Sequence, residues 1–211
     1  MMKTEASPPG IPFVISSPSG GGKTTVCREL KKRLVDLASS VSYTTRPARP
    51  TELAGRDYQF VSQTEFDGLV REGKLAEWAG VHNYFYGTPV DSLEKWLAEG
   101  RDVVLTLDVV GAKSLKKKYP QAVTVFLLPP SLAELRTRLA GRGTEDESVR
   151  EERIRVGLAE IKQAEAYDYV IVNRNLEETV SRLEAIVAAE RLRPGRVLKQ
   201  LELDRSTFPE S

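Results

Sequence analysis

Short apolar runs recur along the chain at Phe13-Val14-Ile15, Val103-Val104-Leu105, Val123–Leu128 and Tyr169–Val172. They are continuous rather than alternating, the pattern of strands buried on both faces of a parallel sheet. Between them apolar positions recur at helical spacing, which predicts helices over residues 23–37, 109–118, 131–139, 146–163 and 176–189. Strand alternating with helix predicts an α/β chain of three layers, with a central parallel sheet and right-handed crossovers.

Residues 42–88 break that rhythm. The stretch is rich in Thr, Arg, Tyr and Gly, with one short amphipathic helix predicted near 64–71 and β-like pieces at 57–61 and 84–86. It reads as an insertion between the first helix and the second core strand. A second polar, arginine-rich segment covers 136–155. Insertions at the carboxyl edge of such a sheet are where α/β folds build ligand sites. The organisation expected is a disordered segment over 1–10, one domain over 11–192 and a loose tail or surface arm over 193–211. Within the domain, the core takes 11–41, 89–135 and 164–192, with insertions at 42–88 and 136–163.

Composition narrows the classes. With 31 basic and 30 acidic residues the formal charge is +1, so the basic excess of a phosphate-reading nucleic-acid binder is missing. The run Lys116-Lys117-Lys118 closes a predicted helix and complements its dipole. One cysteine, Cys27, excludes an intramolecular disulfide and suits a reducing compartment. The first ten residues lack the apolar core of a signal peptide, and the longest apolar run, 122–128, is too short to span a bilayer. A cytoplasmic protein with no nucleic-acid and no membrane partner is expected; monomer and homo-oligomer both stay open. The single histidine, His82, excludes histidine metal clusters and Ser-His-Asp triads, and is expected to be structural.

The first strand runs into Ser17-Pro18-Ser19-Gly20-Gly21-Gly22-Lys23-Thr24-Thr25 and then into a helix. Glycines let backbone N–H groups converge on phosphate oxygens. The helix N-terminus adds its dipole, a lysine reaches the β- and γ-phosphates, and the Thr24 hydroxyl is suited to Mg²⁺. Ser17 stands where the strict phosphate-loop pattern has its first glycine.

The insertion supplies an acceptor site. Arg46 and Arg49 lie three residues apart, Tyr58 follows Asp57, and Glu77-Trp78 and Tyr84-Phe85-Tyr86-Gly87-Thr88 come later. Two guanidinium groups and two phenols suit a phosphate dianion. A lone carboxylate such as Glu77 accepts from two adjacent donors, which guanine offers and adenine does not. Taken singly, Arg46, Arg49 and Glu77 each read as a surface ion-pair former.

Taken together they resemble the guanylate kinase family. The resemblance runs through Ser19-Gly20-x-Gly22-Lys23-Thr24, Ser42-x-Thr44-Thr45-Arg46-x-x-Arg49, Gly55-x-Asp57-Tyr58-x-Phe60, Glu77-Trp78, Tyr84-x-Tyr86-Gly87-Thr88, Arg138-Leu139-x-Gly141-Arg142-Gly143-Thr144 and Tyr167-Asp168-Tyr169-Val170-Ile171-Val172-Asn173. It implies a P-loop kinase fold in which 42–88 binds GMP, 136–163 forms a helical lid, and ATP phosphorylates GMP with Mg²⁺. It also implies roles. Residues 17–25 (Ser17, Pro18, Ser19, Gly20, Gly21, Gly22, Lys23, Thr24, Thr25) and Asn173 would bind ATP. Ser42, Glu77, Gly87, Thr88 and Asp108 would surround guanine, while Arg46, Arg49, Tyr58 and Tyr86 would hold the GMP phosphate. Lys23, Arg46, Arg138, Arg142 and Arg153 would act on the transferring phosphoryl group. Departures from the family pattern are Ser17, Thr106 in place of an aspartate, Val110 where glutamine is common, and Arg174 after Asn173. Two other readings compete: a guanylate-kinase-like module that binds partner peptides without catalysis, and a P-loop kinase for a phosphorylated sugar. The first usually lacks a working phosphate loop, and the second would not need Glu77, Thr88 and both tyrosines.

Overall fold

The first apolar run divides its side chains between two layers, as a strand buried on both faces must. Phe13 and Ile15 enter one core with Val26, Leu30, Val125 and Leu183, while Val14 enters another with Leu93, Leu105 and Leu115. The computed structural model describes residues 8–81, 83–140 and 147–200, the side chains of 138–140, 147–150, 199 and 200 excepted.

In chain order the elements begin β1 (Pro12–Ser16), α1 (Lys23–Arg33), β2 (Ala38–Ser39), β3 (Tyr43–Thr44), β4 (Gln59–Phe60), α2 (Gln63–Arg71), β5 (Leu75–Val81) and β6 (Tyr84–Pro89). They continue with α3 (Val90–Ala98), β7 (Val103–Thr106), α4 (Val109–Lys118), β8 (Val123–Leu128), α5 (Leu132–Ala140), α6 (Glu147–Ile161), β9 (Tyr169–Val172), α7 (Leu176–Arg191) and α8 (Pro194–Gln200). A 3₁₀ turn, Lys162–Ala166, follows α6.

The central sheet has the order β2-β7-β1-β8-β9 and its pairings are all parallel. Helices α1 and α7 cover the face of Phe13 and Ile15; α3 and α4 cover that of Val14. A second sheet, β4-β3-β6-β5, is built wholly from the insertion, with β6 antiparallel to both β3 and β5.

Some expectations shift. The first helix stops at Arg33 rather than 37, because Leu37 turns into the core beside Ala38 while Val35 is left 85% exposed. The insertion begins after a second core strand, β2, not before it; two paired residues are too short a run for hydrophobic pattern to reveal. Strand β5 and helix α3 add to the expected pattern, and α3 buries Leu93 and Leu97, four residues apart on one face. In the segment expected to be disordered, residues 8–10 are described. Gly10 donates to Leu97 O at 2.8 Å, and a Cβ there would fall 1.8 Å from Arg101 O. Residues 194–200 are helical, and Arg196 donates to Pro9 O at 2.8 Å. Residues 1–7, His82, residues 141–146 with Arg142, the Arg138 side chain and residues 201–211 lie outside what is described. No helix of the described residues is long and apolar enough to cross a membrane.

Candidate functional site

The phosphate loop leaves the carboxyl end of β1 and turns into α1. Gly20 and Gly22 have φ of 79° and 92°, a backbone that side chains resist, so glycine is required there. Gly21 is required for another reason: a Cβ would lie 2.5 Å from Ser17 Oγ. Ser17 is buried, its hydroxyl donating to Pro18 O at 3.0 Å, and Lys23 Nζ donates to Ser17 O at 2.9 Å. The first loop residue therefore anchors the lysine through its backbone, which serine does as well as glycine. Thr24 and Thr25 are exposed in the first turn of α1, which carries no acidic residue and no side-chain cap.

Asn173 follows β9 and is buried. Its Nδ2 donates to Gly21 O at 2.9 Å, and its Oδ1 accepts from Thr179 Oγ1 at 2.9 Å. The resemblance placed it near adenine; in the structure its amide clamps the loop to the base of α7. Arg174 and Thr106 are exposed, and Val110 is 60% exposed at the start of α4.

In the insertion, β5 and β6 pair so that Glu77 stands directly opposite Thr88. Both are buried, and Thr88 Oγ1 donates to Glu77 Oε1 at 2.6 Å. Burial pushes the Glu77 carboxyl up to about 7 against the Thr88 hydrogen bond, and the nearby Asp108 carboxylate pushes the same way. The insertion meets the core here, since a Cβ on Gly111 of α4 would lie 2.6 Å from Glu77 Oε2. Asp108 caps α4, its Oδ1 accepting from Val110 N at 2.7 Å and Gly111 N at 2.9 Å. Sequence spacing could not bring Glu77 and Asp108 together; the packing of β5 on α4 does.

Arg46, Tyr58 and Tyr86 form a second cluster. The Arg46 guanidinium lies 5.5 Å from the Tyr58 ring centre, and the Tyr58 and Tyr86 rings meet edge to face at 5.9 Å. Glu52 braces the cluster: both its oxygens accept from Arg46 Nη2, at 2.8 and 2.9 Å, and Oε2 accepts from Arg49 N at 2.9 Å. Against the cost of burial, those bonds hold its carboxyl below the ordinary range. Nothing in the sequence singles Glu52 out from other carboxylates, so its role emerges only in three dimensions. The Arg49 guanidinium itself is half-exposed. Ser42 is half-buried beside this cluster, its carbonyl accepting from Gln59 N at 2.9 Å, and Gly87 is paired with Tyr43. Arg153 is half-buried on α6.

A phosphate loop and a carboxylate–threonine pair now stand on one edge of one fold. Residues 10–190 match the guanylate kinase family model. The chain belongs to the guanylate kinase family. It is 45% identical over 190 residues to the guanylate kinase of Geobacter metallireducens, covering 90% of this chain and 94% of that one. With the guanylate kinase of Rhizobium meliloti it shares 47% identity over 188 residues, 89% of this chain and 86% of that protein. A crystal structure of guanylate kinase from Anaplasma phagocytophilum superposes with a TM-score of 0.80 at 36% identity, covering 98% of this chain and 99% of that chain. The family thus accounts for the insertion, which the central sheet alone does not explain.

Proposed function

We infer that the protein transfers the γ-phosphoryl group of ATP to GMP, giving ADP and GDP, and accepts dGMP as well. The observation that carries this is the buried Glu77 facing Thr88 beside Asp108, a carboxylate site matched to the N1–H and exocyclic amine of guanine. None of the residues assigned to GMP is reserved for a ribose 2′-hydroxyl, which is why dGMP is included. Arg46, Tyr58 and Tyr86 take the GMP phosphate, with Arg49 at the rim; Ser42, Gly87 and Thr88 line the base.

On the donor side, the backbone of residues 17–22 and Lys23 take the triphosphate. The lysine exchanges Ser17 O for phosphate oxygens, and Asn173 keeps Gly21 in place while it does so. Among the described residues no three His, Cys, Asp or Glu side chains group as a metal site. That donor set suits Mg²⁺ held through phosphate oxygens and water, with the exposed Thr24 hydroxyl as its protein ligand. Mg²⁺ would there neutralise charge between the phosphates. Arg153, with Arg138 and Arg142, meets the transferring group, and in-line positioning needs no side-chain nucleophile.

The test is coupled ADP formation with GMP, dGMP, AMP, CMP, UMP and no acceptor. ADP release with GMP and dGMP alone is expected. Equal rates with AMP, or with no acceptor, would refute the guanine assignment, and no turnover at all would favour a peptide-binding module.

A further inference from the structure

Helix α6 lies directly on the phosphate loop. A Cβ on Gly157 would stand 3.5 Å from Pro18 Cβ and 3.5 Å from Leu135 Cδ2, so the contact leaves no gap. Glu160 lies three residues further on and therefore on the same face of the helix, which brings its carboxylate against Ser19. One of its oxygens, Oε2, is fully enclosed and has no hydrogen-bond partner among the described residues. Enclosed carboxylate oxygens without donors are costly, and a native structure retains them where a function requires it.

Among the described residues, the groups that act on it come from three segments. The loop presents the Ser19 N–H and the Lys23 ammonium, the N-terminus of α4 presents Asp108, and the segment before β9 presents the buried Tyr167 hydroxyl, itself facing Ser16. Burial raises the Glu160 carboxyl above its ordinary range; Lys23 and the Ser19 N–H oppose this and Asp108 adds to it. Lys23 is the residue that reaches the β- and γ-phosphates in such loops. Glu160 thus stands where the terminal phosphates of a bound nucleotide arrive. A second anion brought beside the half-buried carboxyl would raise its affinity for a proton further.

We propose that Glu160 is a further ATP-binding residue, which meets the terminal phosphates beside Lys23 as a neutral carboxyl donating a hydrogen bond. The inference rests on the donor half of the proposed function only, so guanine specificity is scored separately by the acceptor series.

The experiment is titration calorimetry of ATP with Mg²⁺ and no GMP, on the wild type and on Glu160→Gln and Glu160→Asp. Wild-type affinity should rise at least about fivefold from about pH 8 to about pH 6, within the limit of about tenfold per pH unit for one proton taken up. Glu160→Gln, whose amide donates at every pH, should bind at pH 8 as tightly as the wild type does at pH 6, with a flat profile. Glu160→Asp keeps a titrating group and should keep the slope. A Gln variant that binds more weakly with the wild-type slope would make Glu160 a structural bracket only, and one identical to wild type would remove it from the site. Should the Gln variant fail to fold, the wild type decides: proton uptake on ATP binding, read from two buffers of different ionisation enthalpy at pH 7, supports the proposal. Its absence overturns it.

Discussion

The Thr88 hydroxyl donates to Glu77 Oε1 at 2.6 Å across directly paired positions of β5 and β6, and Glu77 Oε2 lies against Gly111 of α4. One carboxylate thus ties the insertion to the core while standing at the proposed guanine site. Replacing it by an amide, as Glu77→Gln, substitutes a donor for one of two acceptors. A mispaired group in such a site costs about 1–3 kcal/mol, so the GMP KM should rise about tenfold or more, with a smaller effect on kcat. Steady-state kinetics at saturating ATP measure this, and an unchanged KM would remove Glu77 from guanine recognition.

The same carboxyl should make GMP binding depend on pH. Its value is pushed up to about 7 by burial and by Asp108, and only the ionised form offers two acceptors. GMP affinity should therefore fall as pH drops through about 7, and Glu77→Gln should lose that part of the dependence. Stability runs the other way. A folded value above the ordinary 4.5 means the native state holds this proton more tightly, so the contribution is complete below 4.5 and lost as pH rises to about 7. Wild type should accordingly lose melting temperature relative to Glu77→Gln across that window in the absence of nucleotide.

Gly111 is where helix α4 meets Glu77 of the proposed guanine site. An alanine Cβ would sit 2.6 Å from Glu77 Oε2, too close for the carboxylate to stay. Helix α4 itself tolerates the change, since alanine is favoured over glycine in a helix by about 1 kcal/mol. Gly111→Ala should raise the GMP KM several-fold and leave the ATP KM within about twofold. Equal effects on both substrates would mean that α4, rather than Glu77, had moved.

Ser17 and Gly21 should prove coupled. Ser17→Gly alone should change kcat/KM by less than about tenfold, because Lys23 bonds the Ser17 carbonyl and not its side chain. Thr106→Asp should be equally mild, since Thr106 is exposed at the end of β7. Gly21→Ala should be damaging in the wild type, where its Cβ meets Ser17 Oγ at 2.5 Å and Ser17 Cβ at 2.6 Å. In the Ser17→Gly background much of that loss should be recovered. Additive effects in the double-mutant cycle would refute the contact.

The chain's own order of residues was enough to place the phosphate loop, the four apolar core strands and helix α4. These depend on local rules: continuous apolar runs, glycines at positive φ, a lysine at the first helical turn. It was enough also to nominate Glu77, Thr88, Arg46, Tyr58 and Tyr86, since their types match a guanine base and a phosphate. Short range was the limit. The two-residue strand β2 has too little pattern to be read, and β5 carries its polar Glu77 inside an apolar run.

Which distant groups meet is settled by packing in three dimensions. Glu77 reaches Gly111 and Asp108 because β5 packs on α4, more than thirty positions along the chain; Glu52 becomes the brace of Arg46 because the chain folds back on itself; Asn173 grips Gly21 across 152 residues. Glu160 is one carboxylate among 30 acidic residues until α6 is laid on the loop and encloses it. Burial and neighbouring charge are properties of the packed molecule, and they raise the proton affinity of Glu77 and Glu160. A sequence names the residue types, but the field each one feels exists only once distant segments have closed around it.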